Sequence, residues 1–285
     1  MCNPPSLNES VVRNFNKITY RLLLFPFALL CLLSIFFIAS SNDSNYANHY
    51  MYFQKEAFLY LNNKLATFPD IAFNTTQLGD VLISFPLLTI FIIYAPKLWE
   101  ALFTASLLLL VICSSFKKIF SIPRPAAVFD HDSFVILGET LTGSTSFPSG
   151  HSIATFVVIT ILLFAFMPQK NSTKLLWSIS LIALGLFIAS SRVAVGAHYP
   201  FDVVVGSILG YMIAIIGIKL NAKINGFIWI KNRRYYPFFM LIFIILMFLI
   251  GHKIIKNNIP IYYISFLSLT ISLYTITSSY VKKKN

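Results

Sequence analysis

Long apolar runs separated by short polar stretches dominate the chain. Read in windows of about 19 residues, they predict membrane-spanning helices near 22–40, 77–95, 99–116, 152–168, 175–193, 201–219, 236–251 and 260–280. The predicted fold is therefore all-α, a polytopic transmembrane helix bundle with eight spans. Pro26, Pro86 and Pro260 fall within or at the edges of these runs, where a membrane helix tolerates proline if neighbours satisfy the freed carbonyls. No strand-like alternation and no internal repeat is visible. The first run is too long for a signal-peptide core and reads as an uncleaved span. Two polar segments, 41–76 and 117–151, are long enough to carry structure of their own. In the first, Phe53, Ala57, Leu61, Leu65 and Phe68 recur at helical spacing, with Gln54, Lys55, Glu56, Asn62 and Asn63 between them. That spacing predicts an amphipathic helix in the membrane interface, either packing on the bundle or lining a lateral entrance for a lipid.

Composition agrees with the patterning. Of 285 residues 57% are hydrophobic and only 11% charged, with a mean hydropathy of +0.75. Soluble domains carry about 25% charged residues, so a water-soluble enzyme is excluded. The net charge of +12 raises the question of nucleic acid. The basic residues, however, are distributed among short loops, which disfavours a nucleic-acid partner and points to topology instead. With a cytoplasmic N-terminus, Arg13, Lys17, Arg21, Lys97, Lys170, Lys174, Lys219, Lys223, Lys231, Arg233, Arg234, Lys282, Lys283 and Lys284 share that side. They outnumber Lys55, Lys64, Lys117, Lys118, Arg124, Arg192, Lys253 and Lys256 opposite, so the positive-inside bias places both long polar segments on the exported side. Cys31 and Cys113 lie in apolar runs and act as small hydrophobes, and no disulfide framework is implied. Cys2 has no apolar stretch before it, which argues against a lipoprotein-type signal.

Three short strings place polar chemistry where a membrane protein should be apolar. Lys117 is followed six residues later by Arg124-Pro125; Pro148-Ser149-Gly150-His151 precedes the fourth span; Ser191-Arg192, His198 and Asp202 cross the junction of the fifth and sixth. All fall at one predicted membrane face. Lys117, Arg124 and Arg192 converge there as three cations, two of them guanidinium forks suited to phosphate oxygens. Ser149 and Gly150 precede a helix starting near His151, so their amides and the helix N-terminus should face the same anion, and Gly150 allows close backbone approach. His198 and Asp202 are one helical turn apart, with Pro200 suited to the first turn. A carboxylate on one imidazole nitrogen fixes the tautomer and frees the other to attack, which makes His198 the nucleophile. His151, from another helix, is then placed to protonate the leaving oxygen and to activate water.

These three strings resemble the signature of the type 2 phosphatidic acid phosphatase superfamily, and no signature position departs from it. The resemblance covers about residues 75–220. It implies nucleophile His198, acid/base His151, orienting Asp202 and phosphate ligands Lys117, Arg124, Ser149, Gly150 and Arg192, with no metal and no cofactor. It also implies a six-helix phosphatase core. The expected division is an N-terminal span and exported segment over 1–76, the core over 77–220 and two additional spans over 221–285. The expected substrate is a phosphorylated lipid whose tails stay in the bilayer: undecaprenyl diphosphate, phosphatidylglycerol phosphate, a lipid A phosphate or phosphatidic acid. An exported site on a compact chain suits the inner membrane of a bacterium, with the active site facing the periplasm.

Two rival readings stay open. A lipid-to-lipid phosphotransferase would use the same phosphohistidine, and a non-catalytic lipid-phosphate carrier would use the cations without needing His198 and Asp202. Oligomeric state is left open. Asp130, His131 and Asp132 read as a solvated loop rather than a divalent-ion site, since three adjacent residues rarely converge on one metal. Asp80 is expected to hydrogen-bond across helices or reach a head group, and His49 and His252 to be interfacial side chains. Asn74 with Thr76 forms a glycosylation sequon that matters only in a eukaryote.

Overall fold

A computed structural model describes residues 6–40, 46–224 and 226–282. Among them every regular element is helical. α1 (Leu7–Asn16) opens with a capping box between Ser6 and Glu9. Then come α2 (Leu24–Ala39), α3 (Tyr46–Phe53), α4 (Lys55–Leu65), α5 (Pro69–Gln77), and the short α6 (Val81–Ser84) and α7 (Phe91–Tyr94). The longer helices are α8 (Pro96–Phe120), α9 (Gly150–Ala165), α10 (Asn171–Ala194), α11 (Pro200–Ile224), α12 (Tyr236–Lys256) and α13 (Pro260–Val281). Cys2, Lys283 and Lys284 lie outside the described residues.

Six helices among the described residues are long and apolar enough to cross a membrane, within Tyr20–Ala39, Pro96–Ala127, Asn171–Ala194, Pro200–Ile224, Arg233–Lys256 and Pro260–Val281. Two of the eight predicted spans differ. α9 has 16 residues, roughly 24 Å of helix against an apolar core of about 30 Å. It is packed against α8, α10 and α11, so protein meets most of its surface.

The run at 77–95 is not one helix. Asp80 caps α6 by accepting from the Leu82 N–H at 2.9 Å, a 3-10 turn follows at Pro86–Leu88, and α7 ends at Ala95 before Pro96. This broken stretch still leads from one end of the bundle, where Gly79 lies against His151, to the other, where the Lys97 N–H donates to Asn8. Breaking a helix frees carbonyls that a bilayer cannot hydrate. Here α13 supplies the partners: Ser265 donates to the Ile83 carbonyl at 3.1 Å, Ser268 to the Pro86 carbonyl at 3.0 Å, and Ser272 accepts from Thr89 at 2.7 Å. Trp99 satisfies the Leu88 carbonyl at 2.8 Å. Hydrophobic periodicity sees the apolar run but not the break, because the compensating serines lie more than 180 residues away.

The helix predicted in 41–76 is present as α4, but with the opposite face inward. Gln54, Phe58, Asn62 and Ala66 are buried, whereas Phe53, Ala57, Leu65 and Phe68 are exposed. Asn62 explains the inversion. Its Nδ2 donates to the carbonyls of Val135, Val193 and Ala194 at 2.9–3.1 Å and its Oδ1 accepts from the Val135 N–H at 2.7 Å. A fully buried amide that saturates four backbone contacts holds this face inward. The aromatic and apolar face is left outward, as an interfacial helix requires.

Two small residues set the spacing of the helices that carry the site. A Cβ on Gly206 would stand 2.8 Å from the Ser149 carbonyl oxygen, and one on Gly210 would stand 2.4 Å from that of Ile153. This Gly-x-x-x-Gly stripe lets α11 approach the backbone of α9. At the N-terminal end of the contact, the Ser149 N–H donates to the Asp202 carbonyl at 3.1 Å.

Candidate active site

The end of α10 and the start of α11 are joined by a tight turn. The Ala197 N–H bonds to the Arg192 carbonyl and the Gly196 N–H to that of Val193, a Schellman pattern with Gly196 at φ +75°. A side chain at 196 would also strike the Val135 carbonyl oxygen, at 2.6 Å. The turn thus fixes Arg192 on one side and His198 on the other.

His198 Nδ1 lies 3.3 Å from Asp202 Oδ2, as one helical turn predicts. Asp202 is fully buried and accepts three further hydrogen bonds: from Tyr50 Oη at 2.5 Å, from Ser146 Oγ at 2.6 Å and from the Tyr199 N–H at 2.9 Å. A carboxylate so surrounded takes the proton on Nδ1 as a donor, which assigns the lone pair of His198 to Nε2. That nitrogen lies 3.4 Å from Arg124 Nη1. His198 is 1% exposed, and burial, then the cations Arg124, Arg192 and Lys117, hold its imidazole well below the usual histidine range. It is therefore neutral at physiological pH. Tyr50 is pushed in the other direction, above the usual phenol range, by burial and by Asp202, and remains a donor.

The cations are held individually. Arg124 Nη1 donates to the Ala197 carbonyl at 3.1 Å and its Nε points at Thr145 Oγ1 at 3.4 Å. Arg192 is buried and donates from Nη1 to Thr76 Oγ1 at 2.7 Å, while its Nε has no hydrogen-bond partner. Lys117, in the last turn of α8, places its Nζ 3.8 Å from where a Cβ on Gly150 would stand, whereas its neighbour Lys118 is exposed.

Ser149 departs from expectation in one respect. Its N–H is engaged by Asp202, so it is not free for an anion; its Oγ caps α9 by accepting from the Ser152 N–H at 3.3 Å. The first turn of α9, beginning at Gly150 and His151, retains the unsatisfied N–H groups that favour an anion. His151 and Arg192 line a cavity of about 510 Å³, whose wall also includes Thr76, Ala197 and, from the last two helices, Lys253, Lys256 and Tyr262.

Residues outside this cluster take structural places. Asp130, His131 and Asp132 form a turn in which Asp130 caps the Asp132 N–H, and among the described residues no group of three or more His, Cys, Asp or Glu could hold a metal ion. His49 bonds Ser40 at 3.2 Å and His252 is exposed. Asp80 bridges helices, with its Oδ2 3.0 Å from Lys253 Nζ. Thr76 supports Arg192, a role the sequon reading does not contain. Tyr50 and Ser146 have no place in the sequence argument, and Thr76 enters it only through the sequon. Ser146 sits two residues before Pro148 and was within reach of a motif argument; Tyr50 and Thr76 carry no local signal.

Residues 97–226 match the family model described as the PAP2 superfamily. That match spans 130 of the 285 residues, and over that part the chain is similar to the PAP2 superfamily. It is 26% identical over 174 residues to an undecaprenyl-diphosphatase of Sulfolobus acidocaldarius, covering 60% of this chain and 79% of that one. Over 70 residues it is 33% identical to phosphatidylglycerophosphatase B of Haemophilus influenzae, a match covering 24% of this chain and 29% of that protein. The crystal structure of Aquifex aeolicus LpxE superposes with a TM-score of 0.50 at 29% identity, covering 59% of this chain and 95% of LpxE.

Proposed function

We propose that this protein is an integral membrane lipid phosphatase, hydrolysing a phosphomonoester or diphosphate of a membrane lipid at the exported face of a bacterial inner membrane. The observation that carries the reading is the buried Asp202–His198 pair, with the Nε2 lone pair facing Arg124 among three cations. A carrier of lipid phosphates needs the cations and has no use for an oriented, neutral imidazole.

In the proposed reaction Arg124, Arg192, Lys117 and the first turn of α9 hold the phosphoryl oxygens. His198 Nε2 attacks phosphorus as the bond to the leaving oxygen breaks; His151, which burial and the cations hold neutral in the empty site, takes up a proton from solvent as the phosphate brings in its negative charge and passes that proton to the leaving oxygen. Asp202 stabilises the charge arising on the imidazole. His151, now neutral, takes a proton from water; the resulting hydroxide attacks the phosphohistidine, inorganic phosphate leaves and His198 is regenerated. No step requires a metal ion. Undecaprenyl diphosphate, phosphatidylglycerol phosphate, a lipid A phosphate and phosphatidic acid fit this chemistry, and the names of two relatives fall within the set.

The test is release of inorganic phosphate by detergent-purified protein and its His198→Ala variant, with chelator present, across lipid mono- and diphosphates. Release by the parent and not the variant is expected. Phosphate transferred to an added lipid, with none released, would replace hydrolysis by transfer; no turnover of any lipid by folded protein would end the enzymatic reading.

A further inference from the structure

The family match ends at residue 226, yet the cavity that holds His151 and Arg192 does not. Its far wall is built by the C-terminal end of α12 and the start of α13, through Lys253, Lys256, Asn257 and Tyr262. Two lysines therefore line the same space as the buried Arg192, whose Nε has no hydrogen-bond partner. At about 510 Å³ the space is the size of a ligand site for a head group larger than one phosphate.

Each lysine is paired with one carboxylate. Lys253 Nζ lies 3.0 Å from Asp80 Oδ2, with about a third of each side chain exposed, and 5.6 Å above the Tyr262 ring. Lys256 Nζ is 3.3 Å from Glu139 Oε1, where both side chains are mostly solvated. The exposed Lys256–Glu139 pair contributes little and exchanges readily for a better anion, whereas Lys253 is held in a partly buried pair whose ammonium still lines the cavity edge. A phosphate group carries more charge than one carboxylate and offers several oxygens to a point-like ammonium.

Resting on the reading of the site as a lipid phosphatase, we propose that Lys253 and Lys256 form a second anion subsite, which binds the tail-side phosphate of a lipid diphosphate while the terminal phosphate lies over His198. Attack then breaks the bond between the terminal phosphorus and the bridging oxygen. The product leaving on the two lysines is the lipid monophosphate, which they hold as charge develops on its oxygen. The last two helices thus select the substrate as well as supporting the broken stretch before α8.

The test has a binding arm and a turnover arm. Inorganic pyrophosphate and orthophosphate are titrated against detergent-purified full-length protein, and kcat/KM is measured for a lipid diphosphate and the lipid monophosphate of the same tail. In the double variant Lys253→Gln/Lys256→Gln, the preference for pyrophosphate over orthophosphate and the diphosphate-to-monophosphate ratio of kcat/KM should each fall at least about tenfold. Glu139→Gln removes the competitor of Lys256 from a solvated position and should lower KM for the diphosphate, a gain that loss of a mere strut cannot produce. Equal losses on both substrates, or an unchanged preference in the double variant with no gain in Glu139→Gln, would overturn the subsite. Absence of turnover in the parent with the pyrophosphate preference intact would instead overturn the phosphatase reading alone.

Discussion

Residues 97–226 and the segments flanking them stand in different relations to their surroundings. In α11 61% of the most apolar window is buried inside the protein and in the Pro96–Ala127 span 39%, whereas α10 at 17% is as open as α12, and the α2 span is lowest at 11%. The matched part carries His151, His198, Asp202 and the three cations. The flanks carry few groups of evident chemistry, yet Tyr50 completes Asp202, Asn62 ties α4 to the end of α10, Thr76 holds Arg192, and the serines of α13 close the broken stretch. The difference separates two jobs. The groups proposed to react lie near the packed starts of α9 and α11, whose backbone spacing is set by Gly206 and Gly210, while polar side chains from outside the matched region join Ser146 and the Tyr199 N–H in orienting them.

The largest effect expected of this division lies in the matched part. In Asp202→Asn the amide can present its NH₂ to His198 Nδ1, which moves the imidazole proton to Nε2 and removes the attacking lone pair. Activity should fall on the order of 10³–10⁴-fold in kcat with KM little altered. Phosphate release under single-turnover conditions measures it, and a loss under about tenfold would mean that the carboxylate does not set the tautomer.

Tyr50→Phe probes the flank. It deletes one of the hydrogen bonds to Asp202 and leaves three, so the carboxylate stays partnered but is free to shift. A loss of about tenfold in kcat is expected, with destabilisation of about 1.5–3 kcal/mol from the lost bond to a charged group. Thermal unfolding and kcat measured on one preparation separate the two effects. An unchanged kcat with lowered stability would confine α3 to packing and erase the proposed division of labour.

The same division decides what could be read from the sequence. Lys117, Arg124, His151, Arg192, His198 and Asp202 each lie in a short string with a recognisable spacing, and the three strings, tens of residues apart, fall at one predicted membrane face. Tyr50 is 152 residues from the carboxylate it serves and Thr76 is 116 from its arginine. A lone tyrosine or threonine has no periodic signature, and only the fold makes it a partner. The run at 77–95 shows the converse. Its apolar periodicity satisfies the test for a span, but Asp80 and Pro86 break it locally and α13 makes the break tolerable from a distance. The inward face of α4 is hidden for a related reason: summed hydrophobicity assigns Gln54 and Asn62 to water, whereas their side chains cap backbone groups inside.

The smallest effect is also the one that isolates the electrostatics. The proposed attack requires neutral His198, and its imidazole is held below the usual histidine range, so the acid limb of kcat/KM should lie below pH 6.5 in the parent. Burial is the first cause of that depression and Arg124 the largest of the charges. Arg124→Gln removes the nearest cation and leaves the burial, so the pKa of His198 must rise without regaining its full solution value. Protonation then competes with attack at a higher pH, and the acid limb moves upward, toward pH 6.5, whatever the variant loses in phosphate affinity. A pH–rate profile of the variant reads the position of that limb independently of its height. An unmoved limb with lowered activity would assign Arg124 to phosphate binding alone and leave burial from the surrounding helices as the reason that His198 stays neutral.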